Sequence, residues 1–113
     1  MAASMMRIGS FGEAAGMLRW PSHALTVGNQ CLVSDSGNHR IVVFDSDGEF
    51  VRSWGSHGSG PGQLKRPRGI AVHEDIIFVA DCDNHRVAVF DMDGNWLGSF
   101  GDQGSVHLWG SYL

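Results

Sequence analysis

The chain has few of the residues that hold small folds together covalently. Only two cysteines, Cys31 and Cys82, occur among 113 residues. Two thiols cannot build the disulfide framework of a small secreted domain, and they lack the paired spacing of a structural zinc site. The expected compartment is therefore reducing. No run approaches the ~20 apolar residues needed to cross a bilayer, and the opening "MAASMMRIGS" lacks the apolar stretch of a signal peptide. The expectation is a soluble, cytoplasmic chain with no membrane partner. Charge is sparse as well: charged residues make up 18%, and eight Lys and Arg against 12 Asp and Glu leave a formal net charge of −4. That balance excludes a globally basic nucleic-acid binder and leaves room only for a local basic face.

The length bounds the chain to one small domain or a piece of a larger one, which excludes a multi-domain enzyme. Sixteen glycines, with β-branched and aromatic residues in short bursts, favour many turns and short strands. Helical periodicity is absent, and the fold class that follows is all-β.

The strongest signal is repetition. "DSGNHRIVVFDSDG" begins at Asp35 and "DCDNHRVAVFDMDG" at Asp81, 46 residues later, and the same spacing separates Pro21 from Pro67. From Asp35 to Gly55, 11 of 21 positions match their counterparts. A period in the forties belongs to solenoids and propellers. The second copy divides into strands at residues 69–73, 76–80, 86–90 and 96–100. The run Ile41, Val42, Val43, Phe44 is apolar on both faces, as a strand pressed between stacked sheets must be. "DSDG" and "DMDG" carry hairpin chemistry, with Asp able to bond its own turn and Gly open to positive φ. The link "GSHGSGPGQLKRP" reads as a surface loop to the next unit's inner strand. A four-stranded meander repeated this way is a β-propeller blade.

Four segments follow: residues 1–20 as the outer strand of a preceding blade with its linker, 21–66 as one blade with its loop, 67–105 as a second, and 106–113 as a divergent tail. In "RIGSFG", the Ser-Phe-Gly aligns with Ser53-Trp54-Gly55, which makes the loop after it three residues shorter than its counterpart. Two blades do not close a ring, and similarity stops after Ser105. The chain thus reads as a fragment whose open faces call for neighbouring blades of a longer chain or a self-associated copy.

The triplets Asn38-His39-Arg40 and Asn84-His85-Arg86, with "GSGPGQLKRPRGIAV" between the copies, make the chain resemble the NHL-repeat family over residues 6–105. The resemblance implies a propeller usually of six blades, like those at the C-terminus of tripartite-motif ubiquitin ligases, in RNA-binding translational repressors and in an amidating lyase that uses metal. It implies a non-catalytic interaction module with a protein partner, part of the substrate recognition of a RING-type ligase. The alternatives are single-stranded RNA binding for post-transcriptional repression and a piece of the lyase.

Because the Asp-x-x-Asn-His-Arg phrase recurs in each copy, it is read as scaffold: a catalytic group is needed once, a blade-orienting turn every time. Asp35 and Asp81 are expected to accept backbone N–H bonds or pair with Arg40 and Arg86, and Asn38 and Asn84 to favour the turn. Neither "DxDG" turn continues into an EF-hand, and no histidine spacing is a zinc signature, so no metal or cofactor is expected. His23, His57, His73 and His107 read as ordinary surface or turn residues. The candidate ligand surface is the less regular loop with Lys65, Arg66 and Arg68. Loops alternate between rims in an up-and-down blade, which puts this loop on one rim with His39 and His85, and Arg19 at the counterpart of Lys65 joins them. Cations, imidazoles and the adjacent Trp20 suit a protein surface or, by phosphate contact and stacking, single-stranded RNA.

Overall fold

A computed structural model describes residues 9–102 and 105–108. Two antiparallel sheets follow one another along the chain. The first is a meander of β1 (Pro21–Val27), β2 (Gln30–Asp35), β3 (Arg40–Asp45) and β4 (Phe50–Trp54). The second runs β5 (Pro67–His73), β6 (Ile76–Asp81), β7 (Arg86–Asp91), β8 (Trp96–Asp102) and β9 (Ser105–Leu108). Strands β5 to β8 hold the four segments anticipated from the repeat, each longer by one or two residues. Among the described residues no helix is long and apolar enough to cross a membrane.

Alternation along each strand sorts the side chains onto two faces. Leu32 lies opposite Val43 and Ser34 opposite Ile41, whereas Val33 lies opposite Val42 and Cys31 opposite Phe44. The Leu32, Ile41 and Val43 face of the first sheet packs on Ile70, Ile77, Val79, Ala88 and Phe90 of the second, with Leu64 of the connecting loop between them. Ile41, Val42, Val43 and Phe44 are all buried, as their apolar run requires. The inner strands β1 and β5 lie side by side. The two sheets therefore stack face to face and step sideways by one blade, a partial β-propeller.

Each β3–β4 and β7–β8 connection is closed by the Asp of the "DxDG" turn. Asp45 Oδ1 accepts the N–H groups of Asp47 and Glu49, and Asp91 Oδ1 those of Asp93 and Asn95. Gly48 and Gly94 take φ of 82° and 91°, which a Cβ would oppose. Beyond the turns, β4 carries a bulge at Val51 and β8 one at Leu97, where each holds one residue more than the strand it pairs with.

One expectation needs correction. Between Gly9 and Trp20 the only pairing is an isolated bridge from Phe11 to Leu18, the counterpart of the bridge from His57 to Leu64. Gly12 N–H donates to Leu18 O as Gly58 N–H does to Leu64 O. Ser10-Phe11-Gly12 is thus loop in the same 46-residue register, with no residues missing, and the rest of the segment read as an outer strand lies outside the described residues. The backbone pattern, not the likeness of Phe11 to Trp54, sets the alignment. At the other end, part of the divergent tail is β9, paired antiparallel with β8. Its side chains do not follow the repeat, but an edge strand recruits backbone groups without regard to side-chain identity. The rest of the tail, residues 109–113, is outside the described residues.

Phe90 sits at the centre of the stack, its ring 5.7 Å from that of Trp54 and 5.6 Å from that of Trp96. Phe90→Ala is expected to cost about 3–5 kcal/mol, read as a lower urea midpoint at an unchanged slope. A loss below about 1 kcal/mol would mean that the sheets do not share this core.

Candidate functional site

The repeated phrase folds the same way in both sheets. After β2 and β6 the chain makes one 3-10 turn, Ser36–Asn38 or Cys82–Asn84, and reverses through His39 or His85 in the left-handed region, with φ of 56° and 55°. Asn38 and Asn84 end the 3-10 turns, and the histidines that follow them take the left-handed position. The asparagines are occupied otherwise: Asn38 Nδ2 donates to Asp35 and to Gly12 O, and Asn84 Nδ2 to Asp81 and Gly58 O.

Asp35 and Asp81 are fully buried, and a buried carboxylate costs several kcal/mol unless its oxygens are filled. Each accepts three donors. Asp35 takes Arg19 N–H at 2.6 Å, Asn38 Nδ2 at 2.9 Å and Arg40 Nε at 2.8 Å. Asp81 takes Lys65 N–H at 2.7 Å, and Asn84 Nδ2 and Arg86 Nε at 2.8 Å each. The arginines then reach outward into the preceding loop. Arg86 donates to Ser59 O, Gly60 O and Gln63 O, and Arg40 to Ala14 O and Met17 O. The loop is bound to its sheet through main-chain carbonyls.

On this platform Arg66, His39, His57 and Asp83 come together. Arg66 N–H donates to His39 Nδ1 at 3.0 Å, so the turn of one sheet is bonded to the loop entering the next. The His39 and His57 rings meet edge to face at 4.5 Å, and Arg66 Nε lies 3.7 Å from Asp83 Oδ2. Burial first, then His57 and Arg66, push the His39 imidazole below its ordinary value, while Asp83 and Asp35 pull the other way. Ser22 and Ser36 add a second link across the sheets at Pro67 O. At the opposite rim Arg52 donates to Met92 O at 2.8 Å.

The remaining candidates are more dispersed. Lys65 anchors the site through its backbone, and Arg68 and His85 are exposed without a side-chain bond among the described residues. Arg19 holds its guanidinium 5.5 Å from the Phe11 ring, and Phe11 meets Trp20 edge to face at 5.7 Å. His57 and Asp83 escaped the reading of the sequence. His57 lacks an identical partner, but its counterpart Phe11 also places a ring there, and the 46-residue register would have found it. Asp83 replaces Gly37, where a Cβ would stand 2.6 Å from Arg19 O and 2.8 Å from Trp20 Cδ1. Arg66 in place of Trp20 leaves room for the carboxylate. Among the described residues no three His, Cys, Asp or Glu side chains gather to hold a metal ion.

Comparison with known proteins agrees with this geometry. A family model described as a 6-bladed beta-propeller matches residues 18–99. The RING finger protein nhl-1 of Caenorhabditis elegans is 44% identical over 48 residues, 42% of this chain and 5% of that protein. A crystal structure of a Bacteroides fragilis protein described as exported superposes with a TM-score of 0.70 at 23% identity, covering 88% of this chain and 30% of that one. The chain thus spans a small part of each relative's length.

Two predictions follow from the buried carboxylates and the His39 bond. Asp81→Ala strands the nearly buried Arg86 and is expected to cost about 3–5 kcal/mol, measured by chemical denaturation. A loss under about 1 kcal/mol would show that the carboxylate is not holding the loop. His39, with a folded value below 6.5, binds its proton more readily when unfolded. Its contribution is therefore complete above about pH 6.5 and declines as pH falls through that value toward the folded one. His39→Asn, which tolerates the left-handed turn, should flatten the fall in stability between about pH 7 and 5. An unchanged slope would assign that fall to other groups.

Proposed function

Because the chain belongs to the 6-bladed beta-propeller family, we propose that it is a non-catalytic interaction module that binds a protein partner through the rim carrying Lys65, Arg66, Arg68, His39 and His85. One observation carries this reading. Arg66 and Asp83 pair at 3.7 Å with both side chains more than half exposed, so an exposed rim cation has an acid beside it. A rim of alternating charge with two exposed or half-exposed imidazoles matches the mixed surface of a protein partner better than an unbroken row of phosphates. The likeness to a RING finger protein over 48 residues supports the finer reading, in which the rim selects substrates for ubiquitin transfer by a cytoplasmic ligase. Neither blade supplies the cysteines of a RING, so the transfer chemistry belongs to another part of such a protein.

Single-stranded RNA is the second reading, favoured by Arg19, Phe11 and Trp20, where a cation and two exposed aromatic rings adjoin. Bases stack on such rings. A chain with Lys65, Arg66 and Arg68 all changed to Ala separates the two. For a protein ligand, recovery of the partner from nuclease-treated lysate should fall several-fold in this variant and vary little with salt. Loss of the partner on nuclease treatment, with steep salt dependence on a uridine-rich strand, would overturn the protein reading in favour of RNA.

A further inference from the structure

The bond that joins the two sheets at the rim requires an uncharged imidazole. Arg66 N–H donates to His39 Nδ1 at 3.0 Å, so the ring proton of neutral His39 sits on Nε2. A second proton has only Nδ1 to go to, where it would point at the N–H that this nitrogen now accepts. Both partners are held in unusual backbone positions. His39 takes the left-handed position that follows the first 3-10 turn, and Arg66 is itself left-handed, with φ of 52°. A residue with a Cβ keeps that conformation only where a contact fixes it.

The charged groups facing His39 come from the connecting loop, the second 3-10 turn and its own strand. Burial and, after it, His57 and Arg66 of the loop disfavour a charge on the ring; Asp83 of the turn and Asp35 at the end of β2 favour one. Asp35 is already bonded to Arg19 N–H, Asn38 and Arg40, and Asp83 is paired with Arg66 at 3.7 Å. A proton on His39 therefore removes the acceptor of the Arg66 N–H and sets an imidazolium in competition with Arg66 for Asp83. The neighbouring bonds contain no imidazole. Lys65 N–H is held by Asp81, Pro67 O accepts from Ser22 and Ser36, and the opposite rim is joined through Arg52 and Met92 O. Residue 66 is thus a point of release between neighbours that stay fixed.

We propose that His39 is a proton-operated latch at the rim: uptake of one proton at Nδ1 breaks its bond to Arg66, frees residue 66 from the left-handed conformation and parts Arg66 from Asp83, while the sheets stay stacked. The latch is closed when His39 is neutral and opens as pH falls. Where the rim binds a protein, as proposed above, acid then rearranges the surface that does so. The latch itself needs no partner, so it and the binding role can fail separately.

Heteronuclear NMR on the isotopically labelled full chain between about pH 7.5 and 5 tests the latch. At the upper end the His39 ring should carry its proton on Nε2. On acidification the Arg66 amide signal should move with the same midpoint as the His39 ring. Its hydrogen exchange, corrected for the intrinsic effect of pH, should quicken about tenfold while the Lys65 amide keeps its protection. His39→Asn, which tolerates the left-handed position, should abolish the Arg66 step, and His57→Ala should raise its midpoint. His85→Asn, at the exposed counterpart of His39, should leave the step unchanged. An Arg66 amide that does not respond to acid, that follows a group other than His39, that steps unchanged in His39→Asn, or that loses protection only together with Lys65 and the core amides would overturn the latch.

Discussion

Everything at the rim depends on a carboxylate in the wrong place for a carboxylate. Asp35 and Asp81 lie at the ends of β2 and β6 with no solvent contact, where an ion is tolerated only if both its oxygens are hydrogen-bonded. The requirement recruits the rest of the phrase. Asn38 and Arg40, or Asn84 and Arg86, are close enough in sequence to turn back on one oxygen of the Asp, and the backbone N–H of residue 19 or 65 donates to the other. Each buried Asp thus ties together a strand end, a tight turn and the incoming loop.

That constraint also orders the space between sheets. With the loop fixed, Leu64 is inserted into the core and Arg66 is presented to His39, so apolar stacking and a polar inter-sheet bond arise from the same anchoring. At the far rim the link is of another kind, among the described residues a single Arg52 bond to a hairpin carbonyl. The contact is therefore rich in polar bonds at one rim and sparse at the other.

Much of this was legible in the residues. The spacing of Asp35 and Asp81 and the doubly apolar run at Ile41 to Phe44 identify the blade, because strand periodicity and two-sided burial leave few other architectures. The Asp and Arg pairing could be anticipated from complementary charge. The left-handed histidine could not: Asn has the stronger general preference for that region, yet Asn38 ends the 3-10 turn one residue earlier, with its amide bonded to Asp35 and Gly12 O. The loop before β1 was misaligned because an aromatic residue was matched to an aromatic strand residue, whereas the backbone bonds of Gly12 and Leu18 follow the period. His57 and Asp83 were hidden for a related reason: their roles come from neighbours 18 and 17 residues away in sequence, His39 and Arg66.

Arg40 and Arg86 grip their loops by main-chain oxygen alone. A carbonyl is present whatever the side chain, so Ser59 can change identity while the grip persists, whereas Gln63 also accepts the Gly60 N–H through its Oε1. The loop has a fixed path and a free vocabulary only where no side chain holds it, as at Ser59. Sequence drift there alters what the rim displays without loosening what holds it, which lets one scaffold acquire new binding preferences at little thermodynamic cost.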